Sequence, residues 1–488
     1  MKKFIAIGLL CWPLWAGAAT WYVTPTGAGS EDGTSLADAF AGFADAWATA
    51  GDIDAGDTLC VSGTFTGAAD AQVSTMMLRI LDSGTSGNLI TIDGDCNGDG
   101  VYATLDGNDE VNIGIAADVA TGQAEYIKVR RFNVTRFIVK GLRTWNNATN
   151  DATNDAHQTW EYLNVTDIGD GGTGDNCFDS RGNYIEISHS TLDGCDDDAV
   201  FHRGTDFRSD YLTTRNFSRA TTTGDGLQIS GGNGARYHVS NFTCEDTADA
   251  KQCFIVSELT DNGAGGIFED FDIRGSLTAT TANGAYITGD GASVRRGYVR
   301  GFKDGVLLES TANATNITVS GVIVQNCTGA GIAASASSAT GNKFVQNVVD
   351  SCAIGFETRD TDTIEIKNNV SLNNSGCGYE LEDAGQSESY SASYNNGTAF
   401  CLDGSTTSAG TGAVTTDPLF IGGPSPTTAE GFRLKVGSPL RAAGTNLGSY
   451  QDYGNRRFKY PPSIGAWEYA SGDTADARSI AAPRTLRE

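Results

Sequence analysis

Residues 194–204 read GCDDDAVFHRG, and within them DAVFH (198–202) is one instance of a unit that recurs along the chain. The unit is a polar or small residue, then a glycine or other small residue, then three strand-forming residues. It appears as NCFDS (176–180), DAVFH (198–202), DGLQI (225–229), QCFIV (252–256), NGAYI (283–287), DGVLL (304–308), AGIAA (330–334), IGFET (354–358) and CGYEL (377–381), at intervals of 21 to 31 residues. Between these units lie alternating strands such as YIEIS (184–188), YHVSNFTC (237–244), IFEDFDI (267–273) and IEIKNNV (364–370). A repeat of about 25 residues with two or three short strands per turn is the signature of a right-handed parallel β-helix, an all-β solenoid. No L-x-x-L-x-L frame supports a leucine-rich repeat, and a propeller blade needs a longer period. The 62 glycines and the scarcity of helical periodicity agree with a many-stranded chain.

The phase of the unit assigns faces, because successive strand residues point to opposite sides. Counting its first residue as zero, positions two and four (Phe178, Val200, Leu227, Phe254, Val306; Ile229, Val256, Ile287, Leu308) turn inward. Positions three (Asp179, Phe201, Gln228, Ile255, Tyr286) and five (Arg181, Arg203, Ser230) turn outward. His202 falls on an inward position, while position zero enters the strand, where Asn or Asp can bond the local backbone.

The remainder of the 488 residues frames this coil. MKKFIAIGLLCWPLWAGAA has the charge, apolar run and small-residue end of a signal peptide cleaved after Ala18. Residues 1–18 are thus read as signal peptide, 19–125 as N-terminal cap and first coils, and 126–400 as the β-helix. Residues 401–470 are read as a C-terminal closing segment, and 471–488 as a disordered tail. No stretch is long enough to span a membrane as a helix, so an exported monomer, secreted or periplasmic, is expected. Cleavage leaves 31 basic against 60 acidic residues, a net −29, which repels nucleic acid and anionic lipid. Ten cysteines remain, none in a CxxC pair, and Cys60 with Cys96 and Cys327 with Cys352 are candidate disulfides.

The stretches ATWYVTPTGAGSEDGTSLADAF (19–40), AGDTLCVSGTF (55–65) and SGTSGNLITIDG (83–94) resemble the opening of secreted β-helix proteins of the pectate-lyase-like superfamily, the alginate-lyase and chondroitin-lyase type especially. DPLF (417–420), FRLKVGSPLRAAGT (432–445) and IGAWEY (464–469) are similar to the closing segment of that group. The resemblance implies a carbohydrate-active enzyme degrading a polysaccharide. Asp197-Asp198 before a strand also resembles the paired-aspartate motif of polygalacturonases. Here Asn176 stands where that family has another Asp, and Asp225 where it has a His.

Acid, base, cation and aromatic residues gather on the coils from 176 to 238, and two chemistries fit them. In a lyase acting on a uronate-containing glycan, Arg181 and Arg203 neutralise a carboxylate and His202 or His238 takes the adjacent proton, with Asp197, Asp198 and Asp225 holding Ca²⁺. In a hydrolase, the aspartates Asp197, Asp198 and Asp225 are themselves acid and base, Asp198 and Asp225 being stacked on successive coils. Asp179, Phe201, Gln228, Arg236 and Lys251 are the expected substrate contacts. Asp95, Asn97, Asp99 and Asp106 match the spacing of a calcium loop without its flanking helices. A non-catalytic glycan-binding solenoid, an adhesin, is the third reading the fold accommodates.

Overall fold

The structure is a computed structural model that describes residues 17–469, apart from 50–52, 120–121, 146–154, 220–222, 231–235, 246–251, 258–264, 278–280, 310–314, 336–339, 360–362, 383–385, 387 and 449. Lys251, most of the signal peptide and the tail from 471 onward lie outside the described residues.

The chain winds as a parallel β-helix. One sheet is built of the short recurring strands, among them Met76–Ile80, Ile113–Val119, Lys140–Arg143, Asn176–Arg181, Val200–Arg203, Asp225–Ser230 and Gln252–Ser257, continuing through Thr398–Leu402. Each pairs in parallel with the strand one turn on, in the register the repeat dictates: Phe178 faces Val200, Val200 faces Leu227, and Leu227 faces Phe254. We call this the short-strand sheet. The other turns of each coil supply the long-strand sheet, including Ile127–Phe137, Asp155–Ile168, Asn183–Cys195 and Phe207–Arg215, again parallel.

The core is the stack of inward positions, and all nine apolar residues assigned to it by phase are fully buried. Such a column is costly to interrupt: deleting a large buried aromatic such as Phe178 or Trp160 typically costs about 3–5 kcal/mol. Buried asparagines tie later coils together, the Val322 and Asn347 amides donating to Asn347 and Asn369 side chains at 2.9 Å. Long strands bend at residues with positive φ, where a side chain normally incurs strain. Two such corners carry stacks, Tyr126–His157–Tyr184 and Tyr162–His189–Tyr211, with ring centroids 4.5–5.0 Å apart, contacts that offset the strain.

At the N-terminal end the helix Gly42–Thr49 packs Phe43 on Phe65 at 4.2 Å. The segment after residue 417 lies along the flank of the coil. Phe420, Phe432, Leu440 and Trp467 form an apolar cluster with Tyr298, Ile323, Val348 and Val370 of the long-strand sheet. That sheet is therefore covered over its later coils.

Candidate active site

The aspartates of GCDDD each take a different backbone anchor. Asp196 accepts the Gly171 amide at 2.8 Å and pairs with Arg219 at 2.9 Å. Asp197 accepts the Gly174 amide at 2.6 Å and the Thr223 hydroxyl at 3.3 Å. Asp198 accepts the Asp225 amide at 2.7 Å, while its own amide donates to Asn176 Oδ1 at 3.2 Å. The same device recurs at Asp304, which accepts the Ala330 amide at 2.7 Å. Asn176, Asp198 and Asp304 are thus rungs of a buried ladder joining position zero of one coil to the backbone of the next. Burial, and then the charge of Asp197, pushes the Asp198 carboxyl up to about 8.

The disulfide Cys177–Cys195 anchors this knot, joining the strand before it to the strand that leads into it. Replacing both cysteines by serine is expected to lower stability by about 2–4 kcal/mol, readable as a fall in the urea midpoint. Cys60–Cys96 also forms, as do Cys244–Cys253 and Cys377–Cys401. Cys327 and Cys352 remain buried thiols, contrary to expectation, with the Cys327 amide donating to Cys352 Sγ at 3.3 Å.

The outward face of the short-strand sheet carries a strip of cations spread over successive early coils. Arg79 and Arg143 both grip Asp118, at 3.2 and 2.6 Å. Arg181 lies 3.6 Å over the Trp145 ring and 3.6 Å from Asp179, and Lys140 Nζ is 3.0 Å from the other Asp179 oxygen. Arg203 pairs in register with Arg181, one strand spacing of about 4.8 Å away. Its side chain has no ion pair or side-chain hydrogen bond among the described residues, and Phe201 stands beside it on the same face. Burial pushes the Arg143 guanidinium down, with Asp118 and Asp179 opposing. The strip sets these cations against Asp118 and Asp179, in a protein of net charge −27.

Arg181, Arg203, Asp179, Phe201 and Gln228 therefore meet on one face as the phase requires. Other assignments need correction. His202 is fully buried, its Nδ1 3.0 Å from Ser180 Oγ and its ring against Phe207, and burial depresses its pKa to about 3. It is a core residue out of reach of substrate. Its contribution to stability is present above the ordinary histidine pKa and is lost as pH falls from 6.5 towards 3. We expect His202→Phe to flatten the decline of thermal stability between about pH 6.5 and 4 and to leave glycan turnover alone.

His238 and Arg236 lie at the long-strand sheet, His238 within that sheet and held by Glu269 at 2.9 Å, Arg236 just before its strand and held by Asp206 at 2.7 Å. The core separates them from Arg203, so neither joins the strip. The 95–106 loop is a set of local turns. Asp95 accepts the Gly100 amide, Asp99 accepts the Val101 amide and the Asn97 side chain, and Asp106 is forked by Arg136. Among the described residues no three His, Cys, Asp or Glu converge as metal ligands. Of the oxygens expected to hold calcium, Asp95 Oδ2, Asp99 Oδ1, Asp197 Oδ2 and Asp198 Oδ1 accept backbone amides, and Asp106 accepts both arms of Arg136. An open cavity of about 490 Å³ lies behind the knot, lined by Asp167, Asp193 and Arg219 among others, and its arginine is already pinned between Asp167 and Asp196.

Lys140, Arg143 and Trp145 are the residues the repeat should have supplied and did not. KGLRT (140–144) matches the unit, but 36 residues separate it from NCFDS, beyond the usual interval. Arg79 sits on an earlier strand, MMLRI, that lacks the polar-glycine entrance, and Asp118 follows IGIAA (113–117), which opens with the same Ile-Gly as IGFET.

No protein-family profile matches the chain, and no curated protein matches it. Among solved structures, the pectate lyase Pel9A is 15% identical, with 93% of this chain and 97% of that one covered and a TM-score of 0.31. A mannuronic-acid-specific family 6 polysaccharide lyase from human gut microbiota is 12% identical over 79% and 82% of the two chains, at 0.47. XylC, solved with xylose, is 9% identical over 92% and 98%, at 0.45. These likenesses lie in the winding of the chain; the parallel β-helix itself rests on the strand registers above.

Proposed function

We propose that the protein is a polysaccharide-acting enzyme that binds an acidic glycan along the cationic strip and cleaves it by β-elimination. The observation that carries this reading is Arg203, a cation without an acidic partner among the described residues, stacked in register on Arg181 in a very acidic protein. Arg203 and Arg181 hold the uronate carboxylate and stabilise negative charge developing next to it, which makes the α-proton easier to remove. A base on the strip takes that proton, the electron pair forms a double bond, and the glycosidic C–O bond β to the carboxylate breaks. Lys140, 3.0 Å from Asp179, supplies the proton to the departing oxygen.

A hydrolytic reading has one observation in its favour: the Asp198 carboxyl, raised to about 8, would be a proton donor at neutral pH beside Asp197. Incubating the mature protein with a panel of acidic and neutral polysaccharides, with and without chelator, separates the readings. Elimination produces a conjugated, ultraviolet-absorbing end; hydrolysis produces reducing ends without that absorbance. Binding with neither signal would leave a glycan-binding solenoid and overturn the enzyme reading.

A further inference from the structure

The closing segment runs against the charge of the rest of the chain. Residues 418–469 hold six arginines and lysines against three acids, in a protein of net charge −27. Two of those acids are buried and used within the segment. Asp452 pairs with Arg456 at 2.8 Å, and Glu468 accepts the hydroxyl and the amide of Ser463, each at 2.8 Å. Arg441, Arg457 and Lys459 make no ion pair among the described residues. Tyr469 gathers two of them: the Arg441 guanidinium lies 3.7 Å from the centre of its ring and Lys459 Nζ lies 3.8 Å from it. Lys459 Nζ also donates to the Tyr469 carbonyl at 2.7 Å, which fixes the ammonium there. Arg457 precedes Lys459 by two on a stretch bridged to Gln451, and side chains two apart on an extended chain leave on the same side. Arg457 and Lys459 are exposed, and Tyr460, next in the chain, is 81% exposed. The segment packs on the long-strand sheet, across the core from Arg203.

We propose that Arg441, Arg457 and Lys459, with Tyr460 beside them, form a second binding site, for a carboxylate-bearing polysaccharide. Cations held on an aromatic ring without a carboxylate keep N–H groups for an incoming anion. The uronate carboxylates meet these groups, and the Tyr460 ring offers an exposed face on which a sugar can stack. A single flexible chain can follow three cations without approaching the rest of a protein of net charge −27, whereas a flat anionic bilayer cannot. The site is separate from the strip and stands independently of the chemistry there. Where both act on one polymer, the chain held here is kept at a raised local concentration for the strip.

The test is affinity electrophoresis of the mature full chain through gels holding polygalacturonate, with gels holding uncharged dextran as the control. Arg203→Ala, which weakens the strip, is expected to retain polymer binding. Arg441→Gln, Arg457→Gln and Lys459→Gln together in that chain should weaken it at least about tenfold, and added salt should weaken it as well. Tyr460→Ala, at a side chain that bears little on the fold, should weaken it about threefold. In the otherwise unaltered chain, the triple substitution should leave turnover of a uronate tetramer unchanged. Polymer affinity indifferent to the triple substitution, loss of all polymer binding in Arg203→Ala alone, or equal retention by dextran overturns the proposal. So does binding of vesicles of anionic phospholipid in place of the polymer. Failure of the strip reading looks different: the tetramer is not cleaved, while the triple substitution still weakens polymer binding. Circular dichroism of each variant confirms that the coil has formed.

Discussion

Arg203→Ala is expected to reduce kcat/KM on an acidic glycan by about 10²–10³-fold, the usual cost of removing one preorganised donor from developing negative charge. The fold should hardly notice. The Arg203 side chain makes no ion pair among the described residues, so its loss strands no buried partner, and a surface substitution of this kind normally stays within about 0.5 kcal/mol. Arg203→Lys should recover part of the activity, since the charge returns but the planar fork does not. The effect should shrink as salt is raised, because carboxylate capture on an open face is screened. Arg181→Ala is a poorer probe, as it also uncovers Trp145 and removes a contact to Asp179. Full activity in Arg203→Ala at low salt would remove the basis for the elimination reading.

Asp198→Asn should stabilise the protein at neutral and alkaline pH. A carboxyl raised from 3.8 to about 8 contributes most to stability when protonated, below the unfolded value, and that contribution is lost as pH climbs through the folded value. At about 1.4 kcal/mol per unit, the cost at pH 8 is on the order of a few kcal/mol. Asparagine removes it and keeps the oxygen that accepts the Asp225 amide, as Asn176 does for Asp198 one coil earlier. Thermal melts at pH 8 should rise in the variant, and the difference should vanish near pH 3.5. The same variant divides the two chemistries. If Asp198 is a ladder rung, glycan cleavage survives; if it is the hydrolytic acid, turnover falls by about 10²–10⁴-fold.

The two results together ask whether the chemistry lies on the outward strip or at the strand entrances. Residues of both kinds were legible, but with unequal meaning. Phe201 and Arg203 were placed correctly because a strand's faces alternate with period two, and one secure inward residue, Val200, fixes all its neighbours. His202 obeyed the same rule, and its place in the core follows from the phase that makes Arg203 accessible. His238 was misjudged for another reason. The stretch YHVSNFTC (237–244) reads as a strand between units, but only stacking shows that such strands form the sheet across the core from Arg203.

What the sequence determined by itself was the winding: the recurring entrance, the alternation inside each strand, and hence which side chains fill the core of a parallel β-helix. Those are local properties, repeated often enough that a few irregular intervals did not hide them. Only the tertiary structure decided how the carboxylates and cations are used. Asp196, Asp197 and Asp198 look alike as letters, yet the first two bind amides of the preceding loop, at Gly171 and Gly174, and the third an amide of the next coil, at Asp225. Lys140 and Arg143 reach the strip from a coil set apart by a long connection, and Asp179 and Asp118 then decide which cations are occupied. A charged group's role depends on the partner and the solvent it meets, and both come from coils that only stacking brings together.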